Sequence, residues 1–290
     1  MKKGLMVVNA FLQNNKFNEI YLLCQKSAEK QNMQLELATN ADLMALAPNF
    51  ETLQNNIDFV LFWDKDIFLA KQLEMAGFRL FNSAKGIEIC DDKALSYLAL
   101  KNSNVPMPQT ILAPKTFSQV GYTNLAFVED AIKQLELPLV VKENCGSFGA
   151  QVHCFNTQKE IEEWVFNHAG IPFLFQKLIK ESYGEDIRVN MVGDKPVASM
   201  LRKNSSGGFH SNLTLGGIAE NYILSKEEEL LAKQTMQSLS LDFAGIDILR
   251  SNNGPIICEV NSNPHFATTL ACTNVNVADC IMQYITNKLL

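Results

Sequence analysis

The stretch FAGIDILRSNNGPIICEVN, residues 243–261, decides how the chain folds and where its chemistry sits. Two apolar runs, Phe243 to Leu249 and Pro255 to Val260, flank Ser251-Asn252-Asn253-Gly254, so the pattern predicts a β-hairpin. Counted from Asn253, Asp247 lies six residues back and Glu259 six residues forward, which puts the two carboxylates at the same height on neighbouring strands. Asn261, two residues beyond Glu259, shares its face. Two carboxylates and an amide oxygen are hard donors of the kind that hold a magnesium ion shared with phosphates. The plainer alternative makes Asp247 and Glu259 strand-end acids in solvent. The apolar sequence around both argues against it, because an unpaired charge there is costly. Replacing either acid with alanine is expected to abolish turnover and leave the fold intact.

Upstream, Leu139-Val140-Val141-Lys142 reads as a strand, and Gly146-Ser147-Phe148-Gly149 follows as a loop. Backbone N–H groups at close approach and a neighbouring lysine suit a phosphate. The loop is neither a Walker A sequence nor a dinucleotide fingerprint, and alone it fits a surface turn with a snorkelling lysine equally well. Arg188 and Arg202 fall on predicted strands, Asp186 to Val192 and Pro196 to Arg202. A guanidinium in such a setting requires a carboxylate or phosphate. Pairing with Glu185 or Asp186 is the structural alternative for Arg188. Arg202, beside Lys203 and before Asn204-Ser205-Ser206-Gly207-Gly208, reads as an anion site. Cys145 with His153 or His210 as base is a weak nucleophile candidate, since no third group orients the pair. His265 either lines a substrate pocket or is a loop histidine.

The remaining chain organises around these motifs. In residues 1–88, strands at Leu5 to Ala10, Leu35 to Ala38, Ile57 to Trp63 and Phe78 to Phe81 alternate with helices, one of them Asp66 to Ala76. The run at Ile57 is apolar enough for a parallel strand covered on both faces. Residues 89–172 hold a helix capped by Asp91-Asp92 and running to Lys101, helices Val128 to Leu137 and Gln158 to His168, and a strand Gln151 to Phe155. Residues 173–290 hold strand Phe173 to Gln176, the arginine-bearing strands, helix Lys226 to Leu239 and the hairpin. A chain of 290 residues, 47% hydrophobic, affords a substantial core in one to three domains. A net charge of −6 without a basic run excludes general attraction to nucleic acid or anionic membranes, so an anionic ligand depends on local cations. The seven cysteines lack zinc-ligand spacing. With no membrane span or signal peptide in the sequence, they read as reduced thiols of a cytoplasmic protein.

Taken in order, Asp92-Lys93, Val140-Val141-Lys142 with its Gly-Ser-x-Gly loop, Phe175-Gln176-Lys177, Gly184-Glu185-Asp186-Ile187-Arg188, Gly208-Phe209-His210-Ser211-Asn212, and Gly245-Ile246-Asp247-Ile248 with Glu259-Val260-Asn261 form a pattern. From about Phe78 onward the sequence resembles the ATP-grasp superfamily, and within it the RimK-like α-L-glutamate ligases. The resemblance implies a mixed α/β and α+β ATP-grasp fold: an N-terminal α/β pre-ATP-grasp domain (1–88), a central subdomain (89–172) and a C-terminal subdomain (173–290). It implies ATP with Mg²⁺ or Mn²⁺, and a ligase that phosphorylates a carboxylate, lets an amine attack it, and releases ADP and phosphate. Glutamate or another amino acid would be added to a small metabolite, a peptide or a protein tail. The alternative is a non-catalytic ATP sensor on the same fold, which the intact Asp247, Glu259, Asn261 and Arg202 disfavour. A homo-oligomer stays open.

Carried over by position, Lys93 and Lys142 contact the phosphates, and Gly146, Ser147, Phe148 and Gly149 close over them. Gln176, Lys177 and Leu178 lie along adenine, Asp186 sits near the ribose or substrate, and His210 joins the nucleotide-binding set. Arg202, Arg188 and Asn212 are the catalytic residues, and Asp247, Glu259 and Asn261 hold metal. The chain departs from the family at Lys177, where Glu is usual, and at His210, where Arg is usual. Ser262-Asn263-Pro264-His265-Phe266 replaces the more frequent Ala-Ser-Pro-Gly, at the place where substrate is expected.

Overall fold

The computed structural model describes residues 1–12, 15–46, 50–146, 149–205, 207–209 and 217–290, and its strands sort into three sheets. Strands β1 (Lys2–Val8), β2 (Met33–Thr39), β3 (Phe59–Phe62) and β4 (Leu80–Phe81) form a parallel sheet ordered β2-β1-β3-β4. Every residue of β3 is buried, as its unbroken apolar sequence requires of an inner parallel strand.

The second sheet is antiparallel, built from β5 (Thr110–Leu112), β6 (Leu139–Glu143), β7 (Val152–Phe155) and β8 (Phe173–Lys177) in the order β5-β8-β6-β7. Helices Ala126–Leu135 and Gln158–Asn167 bury Val128, Leu135, Ile161 and Trp164 against Phe173 and Phe175 of β8. Because β8 pairs with both β5 and β6, this sheet takes in residues on both sides of the 172/173 boundary expected from sequence. Local hydrophobic pattern carries no record of such non-local pairing.

The third sheet is also antiparallel, from β9 (Glu185–Val192), β10 (Lys195–Asn204), β11 (Gly217–Asn221), β12 (Phe243–Ser251) and β13 (Gly254–Asn261), ordered β11-β10-β9-β12-β13. Helix Lys226–Leu239, whose Ser225 and Glu228 form a capping box, packs on one face with Leu100 of helix Lys93–Asn102. Asp92 caps that second helix as expected, accepting from the N–H groups of Ala94 and Leu95. Helix Val277–Lys288, not among the elements expected from sequence although Val277, Ala278, Ile281, Met282 and Ile285 recur at helical spacing, joins the first and third sheets in one core: Ile281 and Met282 pack with Met6, Ile20 and Trp63 as well as Phe243. Among the described residues, no helix is long and apolar enough to cross a membrane.

The hairpin forms with Asp247 opposite Glu259, but by a route the residue count did not contain. Near the turn Ser251 faces Gly254 and Ile248 faces Ile257, a register that would set Asp247 against Cys258. A one-residue bulge at Cys258 shifts the ladder and returns Glu259 to the face of Asp247. Beside them, Gly245 admits the chain that follows β13: a Cβ there would lie 2.7 Å from Pro264 Cβ and 3.2 Å from Arg188 Nη1. Gly245→Ala should therefore destabilise the protein by about 1–3 kcal/mol, the scale of overpacking a filled site. Urea unfolding measures this, and an unchanged midpoint would contradict the close approach.

Candidate functional site

Three adjacent strands bring four buried charges together. Asp186 and Arg188 lie two residues apart on β9, and hence on one face; Arg202 of β10 sits opposite Asp186, and Asp247 of β12 opposite Arg188. Arg202 donates from Nε and Nη2 to the two oxygens of Asp186, both at 2.6 Å, and from Nη2 to Asp247 Oδ1 at 2.9 Å. Arg188 donates from Nε to Asp247 Oδ1 at 2.5 Å and from Nη2 to Oδ2 at 2.8 Å. The ladder Asp186–Arg202–Asp247–Arg188 is neutral in sum. Burial alone would raise the Asp247 carboxyl, but Arg188 and Arg202 outweigh it and hold the group below the usual carboxylate range. Burial likewise opposes the charge on Arg202, and Asp247 and Asp186 overcome that effect.

The alternative of Arg188 paired with Glu185 or Asp186 is thereby corrected. Its partner is Asp247, Asp186 serves Arg202, and Glu185 takes Arg250 at 2.8 Å, because antiparallel register pairs residues across strands rather than along one. Arg202 is also less free as an anion site than its sequence context implied: of its three guanidinium nitrogens, only Nη1 remains beyond the ladder.

A cleft of about 500 Å³ runs along this ladder, and most of the sequence candidates line it. Lys142, Gly146, Gly149, Gln176, Lys177 and Leu178 come from the second sheet and its connections. Asp186, Arg188, Arg202, Asp247, Glu259 and Asn261 come from the third. Lys93 lies in a smaller adjoining cavity with Lys142 and Glu259, its Nζ 3.5 Å from the Gly146 carbonyl and 3.8 Å from Glu259 Oε1. Ser147, Phe148, His210 and Asn212 lie outside the described residues. Lys142 is only 6% exposed, yet among the described residues its ammonium meets Cys258 Sγ at 3.7 Å and no carboxylate within ion-pairing distance. Gln176 is buried and donates to Thr110 Oγ1 at 3.0 Å. His265 lines the cleft edge-on to Phe17.

The donor set suits a hard divalent cation. Asp247 Oδ1 accepts two hydrogen bonds and Oδ2 one, so a lone pair stays open on Oδ2. Glu259, half-buried, has its ion pair with Lys93 at the long distance of 3.8 Å, and Asn261 lines the same wall. The thiol reading fares worse. Partial burial, then Asp91 and Asp92, push the Cys145 thiol up, away from the thiolate a nucleophile needs. Among the described residues no hydrogen bond joins Cys145 to His153, which packs on Phe155 and Trp164.

Among the cleft residues that sequence reasoning missed are Asn9 and Asp64. They follow β1 and β3 at the carboxyl ends of parallel strands, where open α/β sheets bind ligands. A polar residue closing a short apolar run was the available signal.

The expectation that alanine at either acid spares the fold also changes. Asp247→Ala would leave the buried Arg188 without its carboxylate, while Arg202 keeps Asp186, and should cost about 3–5 kcal/mol, whereas Glu259→Ala breaks a long, partly exposed pair worth less than about 1 kcal/mol. Denaturant unfolding of the two variants tests this, and equal midpoints would contradict it. The depressed Asp247 carboxyl contributes stability that is fully present above its unfolded value of about 4 and is lost as pH falls through the lower folded value. Acid should therefore destabilise the wild type more steeply below pH ~4 than it does Asp247→Asn.

Comparison with known proteins gives concordant results. A family described as the RimK-like ATP-grasp domain matches residues 90–285. Beta-citrylglutamate synthase B of Homo sapiens is 33% identical over 258 residues, 88% of this chain and 65% of that protein. A probable alpha-L-glutamate ligase of Shewanella loihica is 35% identical over 76% of this chain and 71% of its own length. The chain thus spans about two thirds of these relatives. A RimK domain ATP-grasp protein from Sphaerobacter thermophilus superposes with a TM-score of 0.71 at 17% identity, covering 98% of this chain and 99% of its own.

Proposed function

This chain belongs to the RimK-like ATP-grasp domain family, and we propose that it is an ATP-dependent carboxylate–amine ligase, working through an acyl phosphate and releasing ADP and phosphate. The observation that carries the reading is the buried Lys142 ammonium, without a described carboxylate partner, in the same cleft as a charge ladder that neutralises itself. A cation so placed calls for an anionic ligand, and phosphates supply one. Phosphoryl transfer to a carboxylate brings two anions together, and catalysis consists largely of holding them and offsetting their charge. Lys142 and Lys93 would bind the nucleotide phosphates, and the buried Gln176 with Lys177 and Leu178 would line the base. Arg202 would present its remaining Nη1 to the transferring group, its plane fixed by Asp186 and Asp247. A magnesium or manganese ion held by Asp247 Oδ2, Glu259 and Asn261 would supply further charge neutralisation.

The substrates are a carboxylate and an amine, in keeping with the names of the relatives, and the cytoplasm is the compartment that fits an ATP-consuming enzyme with seven free cysteines. The reading as a non-catalytic sensor gains no observation in its favour.

With an accepted carboxylate, ATP and magnesium, hydroxylamine should capture the activated acid as a hydroxamate, and ADP should be the nucleotide product. AMP with pyrophosphate would instead mean an adenylate route and overturn the reading. Lys142→Ala should weaken binding of a non-hydrolysable ATP analogue by about 1–3 kcal/mol in calorimetry. Arg202→Lys keeps the charge and loses the fork, so turnover should fall by about 10²–10³ with ATP affinity little changed; retention of full turnover would remove Arg202 from the mechanism.

A further inference from the structure

At the end of the cleft that holds Lys142, a clasp of hydrogen bonds joins the second sheet to the helix packed on the third. Asn144 stands two residues beyond Lys142 and is 8% exposed. Its Nδ2 donates to Asp92 Oδ2 at 3.3 Å, and its carbonyl accepts from the Lys93 N–H at 2.9 Å. Its own N–H goes to the Pro172 carbonyl at 2.9 Å, just before β8. Asp92 Oδ1 takes the N–H groups of Ala94 and Leu95 at 2.7 and 3.0 Å. The first three N–H groups of helix Lys93–Asn102 are thus used inside the clasp, and none of the three is left for an anion. What this helix end offers instead is the Lys93 side chain, whose Nζ reaches the Gly146 carbonyl at 3.5 Å.

Two features set the clasp apart from ordinary packing. It bridges residues 52 positions apart that lead directly to the lysines of the site: Asp92 adjoins Lys93, Asn144 follows Lys142, and the two lysines line one small cavity with Glu259. The second feature is Asn144 Oδ1, which is buried without a hydrogen-bond partner among the described residues. Only Nδ2 of the amide can donate to a carboxylate, so Asp92 fixes the side chain in the orientation that leaves Oδ1 unmet. A buried acceptor without a partner costs stability, and an apolar side chain of the same shape would avoid that cost. What the amide contributes is therefore geometric: it holds Lys93 at one spacing from Lys142 and Gly146.

We propose that Asn144 and Asp92 are positioning residues for the nucleotide, their hydrogen bond presetting Lys93, Lys142 and the Gly146 backbone to receive phosphates. The inference rests on the nucleotide-site reading and adds to it two residues that line neither the cleft nor the adjoining cavity. They act through Lys93 and the loop. Cations set in place beforehand spare the ordering that binding would otherwise require, so the link favours affinity.

The test is calorimetry of the full chain with a non-hydrolysable ATP analogue and magnesium, which reads affinity separately from the fraction of protein able to bind. Asn144→Ala removes the link, and Asp92→Ser removes it while keeping a good helix cap. Each should weaken the analogue by about 5- to 10-fold, the scale of one hydrogen bond, with stoichiometry unchanged. Asn144→Asp sets two carboxylates against each other and should weaken binding by about tenfold or more. Adding Asp92→Asn to that variant restores a donor facing an acceptor and keeps the cap, so affinity should return to within about threefold of the wild type. Unchanged affinity in Asn144→Ala and Asp92→Ser, a fall in stoichiometry alone, or no recovery in the double variant overturns the proposal. A wild type that does not bind the analogue at all would overturn the nucleotide-site reading, and this proposal with it.

Discussion

The charge ladder Asp186–Arg202–Asp247–Arg188 is the constraint on which the third sheet depends. Its four groups come from three strands, and each guanidinium reaches its carboxylates only if β10, β9 and β12 pair in the observed register. A slip of one residue would turn the arginines into the face that buries Ile187, Val189, Ile246 and Ile248, where they would have no partners. Buried ion pairs seldom add net stability over apolar packing, yet breaking one is expensive. The ladder therefore acts as a device for register more than for stability. Because it is neutral in sum, it leaves Lys142 as a buried cation of the cleft without a described carboxylate partner.

What could be read from the sequence was what lies close together in it. The hairpin carrying Asp247 and Glu259 spans nineteen residues, and its alternation and turn chemistry name both acids and the face they share. Lys142 could be found for a similar reason, since a lysine at the end of an apolar strand beside glycines is a local oddity. The partners of Arg188 and Arg202 could not, because they are set by which strands lie side by side. Nor could the Cys258 bulge: the count from Asn253 met Glu259 only because one extra residue compensated for a turn centred between Asn252 and Asn253. The placement of β8 in the second sheet was hidden for the same reason. Asp64 was overlooked because its place in the cleft depends on which strands lie side by side, which local sequence does not record.

The first and third sheets are joined tightly enough for residues of both to share one site. Trp63 stacks on Phe243 with ring centroids 5.4 Å apart. The buried Asn82 side chain donates to the carbonyls of Phe243 and Ser262 and accepts from the N–H of Phe243. Phe243 opens β12 and Ser262 follows β13, so one amide from the end of the first sheet holds both ends of the hairpin that carries Asp247 and Glu259. The wall bearing Asp64 and the wall bearing the ladder are thus fixed relative to each other. Such fixing is what positioning two reactants requires.

The central claim is that the cleft between the second and third sheets is a nucleotide site whose phosphate end is Lys142 and whose metal end is Asp247 with Glu259. A crystal structure with a non-hydrolysable ATP analogue and magnesium tests it most directly. The account predicts the base along Gln176, Lys177 and Leu178, phosphate oxygens on Lys142, and the metal bound through Asp247 Oδ2 and Glu259 with the Arg188 and Arg202 pairs still in place. A nucleotide seated elsewhere, or a metal that touches neither carboxylate, would contradict it.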